Sequence, residues 1–332
     1  MYQLKYNIIR RGLILSISSI VIYLLWIYCS YIRDSWYRLP NRASIQMTDQ
    51  STKRTDVLLF AYMRGGSTVV GHILGHVSNT FYIYEPLLHE SVIGYFLADK
   101  VCSIQKDECR YSIEEPSRAI RLLKQNYLCN ISGPGLPLMR DKGGPSWQDF
   151  AKCTATKAST ECEKAIKDNC QKSTFRVSKV LRLSMRMIGQ LLEDMDTLKV
   201  IFLLRDPRGI MASRQTMGMT FPDSETASES LCKKMYVDCS LANLLEKTYK
   251  KRFLKIKYED IADRPIENAK RMYDFMNYPY TKHDIEMVFS LTQGNATKRA
   301  KHWLQEKNTT LIEYVNKYCE QTFEITGYPL RV

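Results

Sequence analysis

KVIFLLRDPRGIMASR, Lys199 to Arg214, decides the fold. Lys199 to Leu204 is a short apolar run of strand length. Asp206 then supplies a good N-cap and Pro207 a preorganised first helical position, so the strand passes directly into a helix. Arg205 stands at that junction, and Ser213 falls nearly two turns into the helix, where it can face the same pocket. A second stretch of the same design, VLLFAYMRGGST (Val57 to Thr68), lies about 140 residues earlier. There the chain turns through Met63, Arg64, Gly65 and Gly66 before Ser67 and Thr68 open a helix. Glycines permit the tight turn, and the unpaired N–H groups of a helix start face whatever fills the loop. Two such turns predict a ligand with phosphate-like groups at both ends.

Outward from these turns, further strands are predicted at Thr80 to Tyr84 and Phe253 to Tyr258. Helical patterns fall at Ser67 to Val77, Met185 to Met195, Pro207 to Met217, Leu241 to Lys250 and Pro265 to Met276. Alternation of this kind implies an α/β class: a P-loop-like three-layer domain with a central, mostly parallel sheet that binds ligands at the carboxyl ends of its strands. The nucleotide-kinase loop G-x-x-x-x-G-K-[ST] is not present. From about Ser91 to Ser173 the rhythm breaks, in a segment holding Cys102, Cys109, Cys129, Cys153, Cys162 and Cys170. It reads as an insertion stapled by disulfides of undetermined connectivity. Without C-x-x-C pairs and with few histidines, no metal site is expected.

Residues 12 to 32, GLILSISSIVIYLLWIYCSYI, carry no charge. At about 1.5 Å per residue they span the roughly 30 Å hydrocarbon thickness, and they are longer than the apolar region of a signal peptide. Sequons at Asn130, Asn295 and Asn308, as expected glycosylation sites, and nine cysteines outside that run suit an oxidising lumen. The expected organisation is a cytosolic tail (1–11), a transmembrane signal-anchor (12–32), a luminal stem (33–55) and a compact luminal domain (56–332). The net charge is +13, which favours anionic partners such as acidic glycans, anionic cofactors or a membrane surface. Luminal placement disfavours nucleic acid. The cysteine count outside the anchor is odd, so at least one thiol is free or pairs with another chain, as in a homodimer.

The motifs resemble those of a Golgi carbohydrate sulfotransferase, of the membrane-anchored branch that 6-O-sulfates galactose, N-acetylgalactosamine or N-acetylglucosamine. Arg64-Gly65-Gly66-Ser67-Thr68-Val69 is similar to the family's R-S-G-S-S-F loop, with Gly65, Thr68 and Val69 as departures. Leu203 to Arg208, followed by Ser213 and Arg214, is similar to L-V-R-D-P-R…S-R. Phe81 to Leu87, Lys257 to Asp260, and the series Trp303, Cys319, Gly327, Tyr328 also match, whereas the cysteine-rich insertion does not. The resemblance implies 3'-phosphoadenosine 5'-phosphosulfate as donor, its 5'-phosphosulfate at Arg64 to Thr68 and its 3'-phosphate at Arg205 and Ser213. It also implies a Golgi membrane location, single-pass type II, and a glycan acceptor, which the basic surplus favours as an acidic one.

Sulfuryl transfer through a loose transition state asks the protein to position groups and to stabilise charge. Arg64 suits that task. Glu85, at the end of the second strand, is the expected general base, with His89 as the alternative. Glu259 and Asp260 read as structural residues capping the helix after the last strand. Two rival functions remain: a nucleotide-dependent kinase on a related scaffold, and a catalytically inactive glycan-binding membrane protein.

Overall fold

The computed structural model describes residues 54–88, 94–106, 108–131, 147–292, 300, 302–305 and 309–330, all within the compact unit Ser51–Val332. β1 (Thr55–Ala61) feeds α1 (Ser67–Gly75) and then β2 (Thr80–Tyr84). The insertion follows, with β3 (Gly94–Leu97), β4 (Lys100–Ser103), β5 (Cys109–Tyr111), α2 (Glu114–Tyr127), α3 (Gln148–Thr154) and α4 (Ser159–Lys172). The alternation then resumes as β6 (Phe175–Val180), α5 (Met185–Asp194), β7 (Leu198–Leu204), α6 (Pro207–Thr216), α7 (Ser224–Thr248) and β8 (Phe253–Lys257). Among the described residues there follow the α-helices α8 (Tyr258–Asp263), α9 (Pro265–Met276), α10 (Lys282–Thr292), α11 (Thr309–Tyr318) and α12 (Glu320–Thr326), with a 3-10 turn at His302–Gln305 before α11.

The central sheet has the order β2-β6-β1-β7-β8, and every pairing in it is parallel. Side chains of β1 alternate between two cores, as the period of a strand requires. Leu58 and Phe60 join Val200, Phe202 and residues of α5 and α7 on one face. Val57, Leu59 and Ala61 join Ile201, Leu203 and residues of α1 and α9 on the other. Three layers result, and β1, buried throughout, carries no polar face.

β6 was not among the expected strands, because Arg176, Ser178 and Lys179 interrupt its apolar run. All six of its residues are nevertheless buried. A buried charge persists only where partners satisfy it. Arg176 donates to the carbonyls of Cys170 (3.1 Å) and Tyr127 (2.6 Å) and lies 3.8 Å from Asp56. Lys179 pairs with Glu85 at 2.8 Å.

The insertion forms a β3-β4-β5 antiparallel meander and a helical lobe. Disulfides Cys102–Cys109, Cys129–Cys170 and Cys153–Cys162 hold it. Its Trp147 packs on Phe81, and Trp147 Nε1 donates to the Tyr82 carbonyl at 2.7 Å, so the lobe covers the outer strand β2. A fourth disulfide, Cys232–Cys319, ties α7 to the C-terminal helices. Cys239 is a free thiol but is buried, so it does not offer a sulfur to a second chain.

The expected membrane helix is corrected: among the described residues no helix is long and apolar enough to cross a bilayer. The longest, α7, carries Glu225, Glu229, Lys233, Lys234, Asp238, Glu246 and Lys247, a charge density no hydrocarbon layer accepts. Residues 12–32, on which the anchor rested, lie outside the described residues. The signal-anchor, the membrane as partner, the type II topology and the Golgi location have no support among the described residues.

Candidate active site

β1 ends at Ala61, and the chain must then reverse toward α1. The Gly65 N–H closes a tight turn on the Tyr62 carbonyl at 2.8 Å. Arg64 and Gly66 take the left-handed conformation, with φ of 71° and 88°. Gly66 is required twice over, since a Cβ there would lie 2.2 Å from the Tyr258 ring. Gly66 also leaves the start of α1 without a side-chain cap, so its first N–H groups stay available to an anion. Ser67 is buried, and Arg64 and Thr68 are exposed.

The second turn is braced from three sides. The Asp206 carboxylate accepts from the Arg208 backbone N–H at 2.9 Å and from the Arg208 guanidinium at 2.9 and 2.7 Å. Arg208, fully buried, also donates to the Pro329 carbonyl and stacks between Trp303 and Phe323. Glu259 accepts from the Asp206 N–H at 3.0 Å and from the Tyr328 hydroxyl at 2.8 Å. Burial raises the Glu259 pKa, and those two hydrogen bonds oppose the rise. Glu259 is thus structural, but it braces the start of α6 rather than the helix it stands on.

The two turns meet. Arg205 donates to the Arg64 carbonyl at 2.8 Å while its guanidinium lies over the Tyr258 ring. Arg64 Nε donates to Ser213 Oγ at 3.1 Å. A cavity of about 740 Å³ opens over them, lined by Arg64, Gly66, Ser67, Thr68, Arg205 and Ser213. Glu85 stands on its wall, immediately beyond β2, with φ 42° and its N–H on the Lys179 carbonyl at 3.0 Å. The Lys179 ammonium, held over the Tyr84 ring, pairs with the Glu85 carboxylate. Burial lowers the Lys179 pKa, and Glu85 offsets part of that.

Every expected donor-binding residue except Gly65 lines this one cavity; Gly65 forms its turn. Lys179, Arg182, Tyr258 and Trp303 join the walls without having been assigned a role from sequence. Lys179 and Arg182 were missed with β6, although Lys179 was detectable as a lysine in a strand-length segment after the insertion. His89, Asn295 and Asn308 lie outside the described residues, and Asn130 is exposed. No group of three or more His, Cys, Asp and Glu among the described residues is arranged to hold a metal.

A sulfotransferase-domain family model matches residues 54–317. The chain belongs to the sulfotransferase-domain family. Carbohydrate sulfotransferase 1 of Danio rerio is 23% identical over 338 residues, covering 84% of this chain and 79% of that protein. Carbohydrate sulfotransferase 3 of Tetronarce californica is 24% identical over 343 residues, covering 90% and 78%. Among solved structures, mouse sulfotransferase SULT7A1 complexed with PAP aligns with a TM-score of 0.42 and 11% identity, over 83% of this chain and 89% of that one.

As a sulfotransferase the enzyme takes its sulfuryl group from 3'-phosphoadenosine 5'-phosphosulfate. The site fits that donor. Its cavity is of the size that holds a nucleotide-scale ligand. Its floor is a glycine loop on which a side chain would collide with Tyr258, and its charged lining holds Arg64, Lys179, Arg182 and Arg205 against Glu85.

Proposed function

We propose that this sulfotransferase transfers the sulfuryl group to a sugar hydroxyl of a glycan, at the primary 6-hydroxyl, with Glu85 as general base. The observation that carries the reading is the contact of the two turns through Arg205 and the Arg64 carbonyl, and of Arg64 with Ser213 on α6, at one cavity with a carboxylate on its wall. The named similarity to carbohydrate sulfotransferases supports a sugar acceptor, and the sequence motifs of the 6-O-sulfating branch support the position.

The donor supplies an activated sulfuryl group and departs as 3'-phosphoadenosine 5'-phosphate (PAP). Arg64, Ser67, Thr68 and the N–H groups that open α1 hold the 5' end and stabilise the negative charge that builds there. Arg205 and Ser213 hold the 3'-phosphate. Glu85 accepts the proton of the sugar hydroxyl as the new S–O bond forms and the bond to the 5'-phosphate breaks. Lys179 fixes the carboxylate by binding both its charge and, through a carbonyl, its backbone.

Glu85→Gln tests the assignment. The isostere is expected to keep PAP affinity within about twofold and to lower transfer of labelled sulfate to a desulfated glycan panel by roughly 10²–10⁴-fold. Near-normal turnover places the base elsewhere. Mapping the labelled position on the product checks the 6-hydroxyl.

A further inference from the structure

A second, smaller cavity of about 60 Å³ lies beside the first, and the two share Met63, Leu181, Arg182 and Met219 in their walls. Tyr62, Tyr95 and Phe221 give it an aromatic side. Among the described residues its charged lining is Arg182, Arg214 and Lys234, with no aspartate or glutamate.

The three cations differ in what they already hold. Lys234 donates to the carbonyls of Phe96 (2.7 Å) and Leu183 (2.8 Å) and to Asp238 (2.9 Å), so its N–H groups and its charge are satisfied from behind. Arg182 donates to the Gly94 carbonyl at 2.8 Å and feels the charge of Glu85. Arg214 donates Nε to the Met63 carbonyl at 3.3 Å, and no carboxylate among the described residues lies within ion-pair distance of it. Desolvation lowers its pKa to about 10, against the influence of Tyr95. A part-buried guanidinium without a counter-charge is costly unless a ligand brings one.

Ser213 and Arg214 are successive residues of α6, about 100° apart around the helix axis. Ser213 lines the donor cavity and Arg214 lines the side pocket. A water needs about 10–15 Å³ on this measure, so the pocket takes one small substituent rather than a whole sugar ring.

We propose that this pocket is an anion subsite for the acceptor, in which Arg214, assisted by Arg182, receives a carboxylate or sulfate ester carried beside the sugar that reacts. The proposal rests on the sulfotransferase reading of the main cavity. It makes Arg214 a specificity residue that selects glycans already bearing an acidic group.

Calorimetric titration of the full chain saturated with PAP tests it with two matched pairs of probes. One pair is a hyaluronan hexasaccharide and its neutral, carboxyl-reduced counterpart. The other is an N-acetyllactosamine tetrasaccharide with and without one sulfate ester. The wild type is expected to bind the acidic member of at least one pair roughly ten- to a hundredfold more tightly than its neutral partner, the range of a charge-assisted hydrogen bond. The pair that discriminates identifies the anion. Arg214→Gln is expected to erase that preference while leaving PAP affinity within about twofold, which also reports that the variant folds; Arg214→Lys is expected to restore part of it. A wild type with no preference in either pair, binding of no probe at all, or equal loss on acidic and neutral probes overturns the subsite. Loss of PAP affinity in Arg214→Gln overturns it by placing Arg214 in the donor site. Failure of the wild type to bind PAP overturns the sulfotransferase reading beneath it.

Discussion

Replacing Gly66 by alanine separates two costs that the donor loop combines. Gly66 sits at φ 88° and ψ 6°, a conformation that costs a non-glycine residue about 1–2 kcal/mol. The new Cβ would also fall 2.2 and 2.3 Å from the Tyr258 ring atoms Cδ2 and Cε2, and overpacking of this sort adds about 1–3 kcal/mol. Gly218 supplies an internal control, since it has φ 64° and nothing within 4 Å of an added Cβ. Urea unfolding is therefore expected to show a loss of about 1–2 kcal/mol for Gly218→Ala and about 2–5 kcal/mol for Gly66→Ala. Tyr258→Ala should be non-additive with the second change and additive with the first. Because the Arg205 guanidinium lies 4.9 Å over the same ring, displacing Tyr258 also moves a residue proposed to hold the 3'-phosphate. PAP affinity is expected to fall more than about tenfold in Gly66→Ala, as when a charge-assisted contact is lost, and to stay unchanged in Gly218→Ala. Equal destabilisation by the two substitutions, or normal PAP affinity in Gly66→Ala, would refute this reasoning.

Arg208→Ala strips the buried Asp206 carboxylate of its guanidinium partner, so denaturant unfolding is expected to show a loss of about 3–5 kcal/mol; a loss under about 1 kcal/mol would mean that the pair is dispensable. Burial pushes the Cys239 thiol up to about 12, so at pH 8 only about one in 10⁴ is thiolate, against roughly a quarter for an ordinary thiol near 8.5. Peptide mapping after iodoacetamide should find Cys239 unmodified in the native protein and alkylated after unfolding. Alkylation in the native state would contradict its placement.

Legibility from sequence followed the physics of each segment. β1 and β7 were readable because strands buried on both faces are continuous apolar runs, and the turns after them were readable because Asp206, Pro207 and Gly66 each have a local conformational job. β6 was not, since the partners that satisfy Arg176 and Lys179 come chiefly from Tyr127 and Glu85, both distant in the chain, with Cys170 just before the strand adding a carbonyl. Losing β6 also lost Lys179, the residue that holds the expected base. Likewise α7 was expected only over its last part, because Lys234 and Asp238 break the apolar stripe while pairing with each other inside. Glu259 was read as structural, but its true partners, the Asp206 amide and the Tyr328 hydroxyl, are contacts that only the assembled fold supplies. Disulfide pairing was equally closed to sequence reasoning.

The central claim is that one donor bridges the two turns, and calorimetric titration with PAP tests it most directly. Arg64→Ala removes a side chain from the first turn, and Ser213→Ala removes one from the helix that the second turn opens. Each is expected to weaken PAP binding by about tenfold or more relative to wild type, the worth of a charge-assisted hydrogen bond to phosphate. Unchanged affinity in both variants would contradict the two-turn site.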